Sequence, residues 1–296
     1  MQSLKLPFTA IVVVLAAAWF GVPKIASEIP PSVLAALMPA AGGGIPLASH
    51  KALYDYKMVS VESGAGVSGI KGKMYFEQDD ACDAWTTDQR FTTEYQYPER
   101  RPLLNNSHYV AWESKDGKTF QFSSERQENG IMTEQLRGSV ERSAEGATQA
   151  LYSRPEDLSF DLPNGYVLPT FHTEEIIRLA QKGEKLFNAV MFDGTDADGP
   201  VEMNAFIGKK ATEEEIKKYA AAASGKTDAT LLTPDAWHIR LALFPMDEKD
   251  LISPSYEMDM VLHDNGVVSY AIVDYRTFKV EQTLAALEKL PVKECP

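Results

Sequence analysis

The chain has 296 residues, which is enough for one large β domain or for two small ones. Its apolar content of 44% and its charged content of 24% are those of an ordinary globular protein. The formal net charge is −13, from 42 Asp and Glu against 29 Lys and Arg, and no basic patch dominates, so nucleic acid is not an expected partner.

The first 20 residues have the pattern of an export signal. Lys5 gives a short positive region, and residues 6–20 form an apolar run that is too short for a comfortable transmembrane helix. Small residues at 16–18 and 40–42 fit a cleavage site, and residues 25–27 are a third candidate; an uncleaved N-terminal anchor is the alternative. In either case we expect the rest of the chain to be exported. No second apolar run long enough to span a bilayer follows.

Residues 30–46 are rich in Pro, Ala and Gly and are predicted to be a flexible linker. We therefore expect residues 1–45 to be a signal or anchor segment with a linker. Residues 46–296 show no internal boundary and no fixed repeat, so we expect one domain there.

From His50 onward the dominant period of hydrophobicity is two. Apolar and polar side chains alternate in four clear segments: residues 54–59, 91–97, 120–123 and 256–263. This alternation is typical of antiparallel strands that have one face in a core and one in water. The sequence therefore predicts an all-β protein. A meander of many hairpins must curl or close to protect its edges, so we expect a spiral or a broken barrel.

Turn residues support the same fold class. Six Asn-Gly or Asp-Gly pairs supply the positive φ angles that tight hairpins need, and they begin at Asp116, Asn129, Asn164, Asp193, Asp198 and Asn265. Two of them lie between clear strand patterns and predict hairpins centred on residues 116–117 and 265–266.

Only one or two short helices are expected. Thr173, followed by two glutamates, predicts a helix N-cap at that residue. Thr212 and Glu215 form a capping-box pattern, and the helix that follows is expected to be an exposed insertion. The apolar pattern of residues 284–290 fits either a helix or a last strand.

Cys82 and Cys295 are the only cysteines. Neither belongs to a Cys-x-x-Cys motif or has a histidine at metal-ligand spacing, and an even pair in an exported protein indicates one disulfide. Two free buried thiols are the alternative. A bridge would tie the C-terminus to an early strand, and we expect it to hold the last strand and to help close the sheet.

No motif for catalysis, cofactor binding or metal binding is present. The five histidines are never four residues apart, and neither a nucleophile elbow nor a phosphate-binding Gly-rich loop occurs. Residues 193–199 fail the register of a calcium loop, so a hairpin turn is favoured there. For His172 a packing role is favoured over a ligand-orienting one, and core filling is favoured for the aromatic residues over the lining of a ligand cavity.

Ten short segments, taken in order, resemble the EipB family of cell-envelope integrity proteins from α-proteobacteria. These segments are LASHKALY (47–54), GKMYF (72–76), ACDAWT (81–86), FQF (120–122), DLP (161–163), LPTFHT (168–173), DG (193–194), VDY (273–275), LP (290–291) and ECP (294–296). The order and spacing of the segments carry the resemblance, which spans essentially all of residues 46–296. The linker at 24–44 and the segment around 212–225 depart from it.

The resemblance implies a periplasmic protein with an antiparallel sheet coiled into a spiral or broken barrel, an architecture likened to periplasmic lipoprotein carriers. It also implies a disulfide at Cys82 and Cys295, and it brings no catalytic residues. The leading expectation is a non-enzymatic factor for envelope integrity that binds a lipid, a lipoprotein or a protein partner. A lipid or lipoprotein carrier in the strict sense and an enzyme acting on envelope polymers are the alternatives.

Overall fold

The computed structural model describes residues 44–142, 148–246 and 253–295. The predicted export signal and its cleavage sites lie outside the described residues. Most of the described chain forms one antiparallel sheet of fourteen strands, accompanied by two α-helices and a 3-10 turn.

The strands and helices have the following bounds in chain order. The strands are β1 (His50–Val61), β2 (Gly69–Asp80), β3 (Ala84–Gln96), β4 (Leu103–Ser114), β5 (Thr119–Glu128), β6 (Ile131–Glu141), β7 (Thr148–Arg154), β8 (Ser159–Leu162), β9 (Leu186–Met191), β10 (Val201–Lys210), β11 (Ala236–Pro245), β12 (Tyr256–His263), β13 (Val268–Asp274) and β14 (Phe278–Lys289). The helices are α1 (Pro169–Lys182) and α2 (Glu213–Ala222), and the 3-10 turn is Ala229–Leu231.

The sheet is open, and its strand order shows which strands form its two edges. Neighbouring strands are consecutive in the chain from β8 back to β1 and from β14 back to β9, and β1 pairs with β14 in the middle. The two edges are therefore β8 and β9, which α1 connects. A parallel bridge between Val167 and Met191 brings the segment before α1 against the β9 edge. The predicted all-β class and the curled, unclosed antiparallel sheet are confirmed.

Alternating burial along the strands builds the core. In β1, Ala52, Tyr54 and Tyr56 are buried, and in β3, Phe91 and Tyr95 are buried on the same face of the sheet. Burial of a large apolar side chain such as that of Phe91 stabilises the fold by about 1.5–3 kcal/mol relative to exposure. A main cluster surrounds β1–β3 and β9–β14, and a smaller one lies under β4–β8.

Local turn chemistry places the hairpins as predicted. The pair at Gly117 joins β4 to β5 and the pair at Gly266 joins β12 to β13, and both glycines have positive φ. The pair at 129–130 joins β5 to β6 in the same way. The pair at 164–165 instead precedes α1. The segment 284–290, which the sequence left open, belongs mostly to β14.

The predicted start of the first helix is wrong. Thr173 lies inside α1, where its hydroxyl donates to the Pro169 carbonyl at 3.1 Å, and the helix begins four residues earlier. Pro169 occupies the first helical position, where its missing N–H costs nothing and its fixed φ favours the helix. The N-cap, Leu168, makes no side-chain capping bond. The helix is capped by a residue that is distant in sequence.

The capping box of α2 is confirmed. The Thr212 hydroxyl accepts the Glu215 N–H at 3.2 Å, and the Glu215 carboxylate accepts the Thr212 N–H at 2.7 Å. Most residues of the helix are exposed, but Ile216 is buried and Tyr219 stacks on Tyr270 of β13 with ring centroids 4.6 Å apart.

Candidate functional site

Glu113 is a buried carboxylate that caps α1 from a distant strand. It follows Tyr109 and Ala111 on the inner face of β4. Its two carboxylate oxygens accept the N–H groups of Thr170 and Phe171 at 2.8 and 3.0 Å. These are N–H groups of the first helical turn, which have no partner inside the helix. Burial raises the pKa of the Glu113 carboxyl to about 7, although both hydrogen bonds act in the opposite direction.

The connection between β9 and β10 is a loop held inside the sheet. Two tyrosine hydroxyls anchor it: Tyr109 donates to the Asp193 carbonyl at 2.7 Å, and Tyr152 donates to the Asp196 carbonyl at 2.9 Å. Burial raises the pKa of Asp193 to about 7 and that of Asp196 well above its usual value. The loop joins two paired strands, as a hairpin connection does. Alternation and turn residues did not predict its burial.

Glu113 and Asp193 line one cavity, together with Gln89, Thr170 and other residues. The cavity has a volume of about 30 Å³. That is room for about two water molecules and far too little for a sugar ring or an acyl chain. Two carboxylates of raised pKa in one cavity have the chemistry of a hydrolytic acid and base. Here the Glu113 carboxylate holds the first turn of α1, and the Asp193 carboxylate accepts the Thr195 N–H inside the β9–β10 loop at 3.0 Å.

His172 is packed in the core, as favoured from the sequence. It is 1% exposed and lies against Phe187, with ring centroids 5.4 Å apart. Burial lowers the pKa of the His172 imidazole to about 4. Within the described ranges, no three or more His, Cys, Asp or Glu side chains are arranged to hold a metal ion.

Most of the aromatic residues fill the core. Tyr54, Tyr56, Tyr95, Trp85 and Trp237 are all at most 6% exposed and belong to the main cluster. Trp112 differs, because it lies on the outer face of β4 and is only half-buried. It lines a groove on that face.

A groove with a volume of about 620 Å³ crosses the outer face of β4, β5, β6 and β7. We call it the β4–β7 groove. Its outward side chains are Val110, Trp112, Gln121, Ser123, Arg137, Ser139, Leu151 and Ser153. Val110 is 39% exposed and Leu151 is 54% exposed. The volume lies in the range of about 300–1,000 Å³ that small-molecule sites occupy.

Gly138 forms the floor of the β4–β7 groove. A Cβ at this position would lie 2.5 Å from the Phe122 ring and 2.6 Å from the Leu151 carbonyl oxygen. Behind Phe122, Gly194 of the β9–β10 loop is in similarly close contact with the same ring, with a φ of +66°. The buried loop therefore supports the floor of the groove from inside.

A disulfide joins Cys82 and Cys295, whose Cα atoms are 5.5 Å apart although 213 residues separate them in sequence. Cys82 lies in the β2–β3 turn, and Cys295 lies in the exposed segment after β14. The predicted disulfide is confirmed, but β14 also pairs with β1 and β13, so the place of the last strand in the sheet does not depend on the bridge alone. The edges are β8 and β9, so the prediction that the bridge closes the sheet is wrong.

The fold and the groove define an all-β, barrel-like protein with an unclosed sheet and a surface site. The EipB-like family model matches residues 41–291, and the chain belongs to this family. The cell envelope integrity protein EipB of Brucella abortus (strain 2308) is 27% identical over 250 residues, which cover 84% of this chain and 86% of that protein.

A solved structure shares the architecture. It is the crystal structure of a beta-barrel-like protein of domain of unknown function DUF1849 from Brucella abortus, with a TM-score of 0.73 and 27% sequence identity. The match covers 83% of this chain and 100% of that chain. The family resemblance predicted from the ten sequence segments is confirmed.

Proposed function

We propose that this protein is exported to the periplasm and maintains the integrity of the cell envelope by binding an envelope component, without catalysing a reaction. The relative named a cell envelope integrity protein supports the envelope role. The apolar segment at residues 6–20 and the disulfide support export to an oxidising compartment. Neither described helix is long and apolar enough to cross a membrane.

The β4–β7 groove is the observation that carries the binding mechanism. It has the volume of a ligand site, it lies on the accessible face of the sheet, and it combines exposed apolar side chains with polar ones. Exposed apolar side chains in a concave surface are typical of binding sites, since they are otherwise costly to leave in water.

The interior of the sheet favours surface binding over carriage of a lipid inside the protein. A carrier needs an apolar cavity of several hundred cubic ångströms. In the space that the sheet surrounds, α1 inserts Ile176 and Ile177 into the main cluster, and Phe192 fills the smaller one. The cavity beside Glu113 has a volume of about 30 Å³, which is too small for an acyl chain.

Depletion of the protein in its host should sensitise the cells to detergents and to antibiotics that act on the cell wall. The expected effect is a lower minimal inhibitory concentration for these compounds, with no change for an antibiotic that enters independently of envelope damage and acts on the ribosome. Plate dilution assays of a depletion strain measure it. Unchanged resistance to the whole detergent and cell-wall panel would contradict the envelope role.

A further inference from the structure

We propose that the β4–β7 groove binds an acidic oligosaccharide, which is a chain of sugar rings that carries carboxylate or phosphate groups. The proposal rests on the proposed function, in which this groove is the binding site. It adds the chemical class of the ligand, and it is drawn from the charges, the aromatic residue and the small polar side chains of the groove.

One arginine lines the groove and a second lies next to it on the neighbouring strand. Arg137 of β6 and Arg154 of β7 are partners in the register of the sheet, and both are exposed. Like charges directly opposite each other on neighbouring strands destabilise a sheet. The pair is notable in a protein with a net charge of −13, where carboxylates are abundant.

No carboxylate of the described ranges lies within 4.0 Å of either guanidinium. Arg154 donates instead to the side-chain amide oxygen of Gln135, and the amide nitrogen of Gln135 donates to Glu125 at 2.7 Å. The Gln135 amide therefore lies between the Arg154 guanidinium and the Glu125 carboxylate. An anion bound between the two arginines would offset their repulsion, and guanidinium groups match carboxylate and phosphate oxygens with two parallel hydrogen bonds.

Trp112 lies at the opposite end of the groove from Leu151. In register, Trp112 is opposite Gln121, Gln121 is opposite Ser139, and Ser139 is opposite Leu151. This row crosses three strand spacings, about 14 Å. An indole ring next to an amide and hydroxyl groups offers a face for sugar C–H groups and hydrogen-bond partners for sugar hydroxyls. A row of this length is longer than one sugar ring, so it favours a chain of several sugar rings as the ligand.

The groove carries hydroxyl groups as well as apolar side chains. Ser123, Ser139 and Ser153 line it on β5, β6 and β7. An acyl chain laid across these hydroxyls would remove them from water without hydrogen bonds, which is unfavourable. Sugar hydroxyls replace those hydrogen bonds. A lipid-linked glycan would therefore bind through its sugars.

The test is isothermal titration of the protein purified from its host with four probes. These are the lipid-free, phosphorylated core oligosaccharide of a lipopolysaccharide, soluble peptidoglycan glycan strands, neutral chitooligosaccharides and inorganic phosphate. We expect at least one of the two acidic glycans to bind at least tenfold more tightly than the neutral one, with an affinity that falls as salt rises. The stronger of the two acidic probes identifies the source of the glycan.

Variants inside and outside the groove test whether the glycan binds there. Arg137→Gln, Arg154→Gln and Trp112→Ala should each weaken the binding of the acidic glycan at least tenfold. Arg240→Gln is the matched control, because it makes the same charge change on the outer face of β11, where Arg240 pairs with Asp259 at 2.7 Å. Its affinity should equal that of the wild type.

Three results would overturn the proposal: equal binding of neutral and acidic glycans, phosphate binding as tight as glycan binding, or no binding of either acidic glycan. A loss of affinity in Arg240→Gln equal to that in Arg137→Gln would overturn the placement in the groove. None of these results contradicts the proposed function, which has its own test. If Ser139→Phe, which fills the groove, fails to protect the envelope, then the groove binds an envelope component of another chemical class.

Discussion

Replacement of Cys82 by serine is expected to lower the free energy of unfolding by about 2–5 kcal/mol. The disulfide closes a loop of 213 residues, so it removes many conformations from the unfolded chain. The sheet does not depend on the bridge for its hydrogen bonds, because β2 and β14 each pair with strands on both sides. The far-ultraviolet circular dichroism of the variant should therefore match that of the wild type.

Urea denaturation measures this effect and tests its origin. Cys295→Ser and the double variant should each cost the same as Cys82→Ser, because all three lose the same bond. The slope of the free energy against urea should rise in the variants, since an uncrosslinked chain exposes more surface when it unfolds. Equal urea midpoints for the wild type and the variants under non-reducing conditions would refute the stabilising role of the bridge.

Glu113→Gln should change how stability depends on pH. The pKa of the Glu113 carboxyl is about 7 in the folded protein and 4.5 in its ordinary state. The folded state therefore holds the proton more tightly. The stability from this group is fully present below about pH 4.5, and it is lost as the pH rises towards 7, by about 1.4 kcal/mol per pH unit.

Glutamine cannot titrate, so the variant does not lose this stability as the pH rises. The free energy of unfolding of Glu113→Gln relative to the wild type should rise by about 2–3 kcal/mol between pH 5 and pH 7. A weaker hydrogen bond from Thr170 or Phe171 to the glutamine would change the free energy of unfolding by the same amount at every pH. It would not change how the difference between variant and wild type depends on pH. Urea unfolding at several pH values measures it.

The control is Glu156→Gln, a change at an exposed residue in the β7–β8 turn. It gives the effect of the same substitution at a position that water reaches. The same measurement on Asp193→Asn should give a slope like that of Glu113→Gln, because burial also raises the pKa of Asp193 to about 7. A flat difference curve for both buried sites would show that neither carboxyl holds its proton in the folded state.

The parts of the fold that depend on local chemistry were predictable from the sequence. Alternation of apolar and polar residues located the strands, and glycines at positive φ located the hairpins at residues 116–117 and 265–266. The capping box at Thr212 was a local signal of the same kind. The pairing of β1 with β14 joins the two ends of the domain and has no local signal.

The polar interior was missed because it depends on contacts between distant residues. Glu113 caps a helix that begins 56 residues later, so local rules placed the cap at Thr173 instead. One signal was available: alternation places Glu113 on the same face of β4 as Tyr109 and Ala111, and a carboxylate in a core position demands a partner. Pro169 was a second signal, since it marks the first turn of a helix.

The β4–β7 groove was not predicted, because each of its residues is ordinary when it is considered alone. Its residues are the outward members of four alternating strands, and outward serines and glutamines are ordinary in any sheet. What distinguishes them is register, which brings Arg137 opposite Arg154 and extends a row from Trp112 to Leu151. Register across four strands is set by the whole sheet, so the sequence alone did not predict the groove.

Complementation with a blocked groove tests the binding mechanism most directly. Ser139→Phe places a large side chain in the middle of the β4–β7 groove whatever the ligand is, and phenylalanine is well tolerated on strands. Asn188→Phe makes a similar change on the outer face of β9, away from the groove. Both proteins should be produced, folded and exported at wild-type levels in the depletion strain. The account predicts that Asn188→Phe restores detergent resistance and Ser139→Phe does not; full resistance with Ser139→Phe would contradict it.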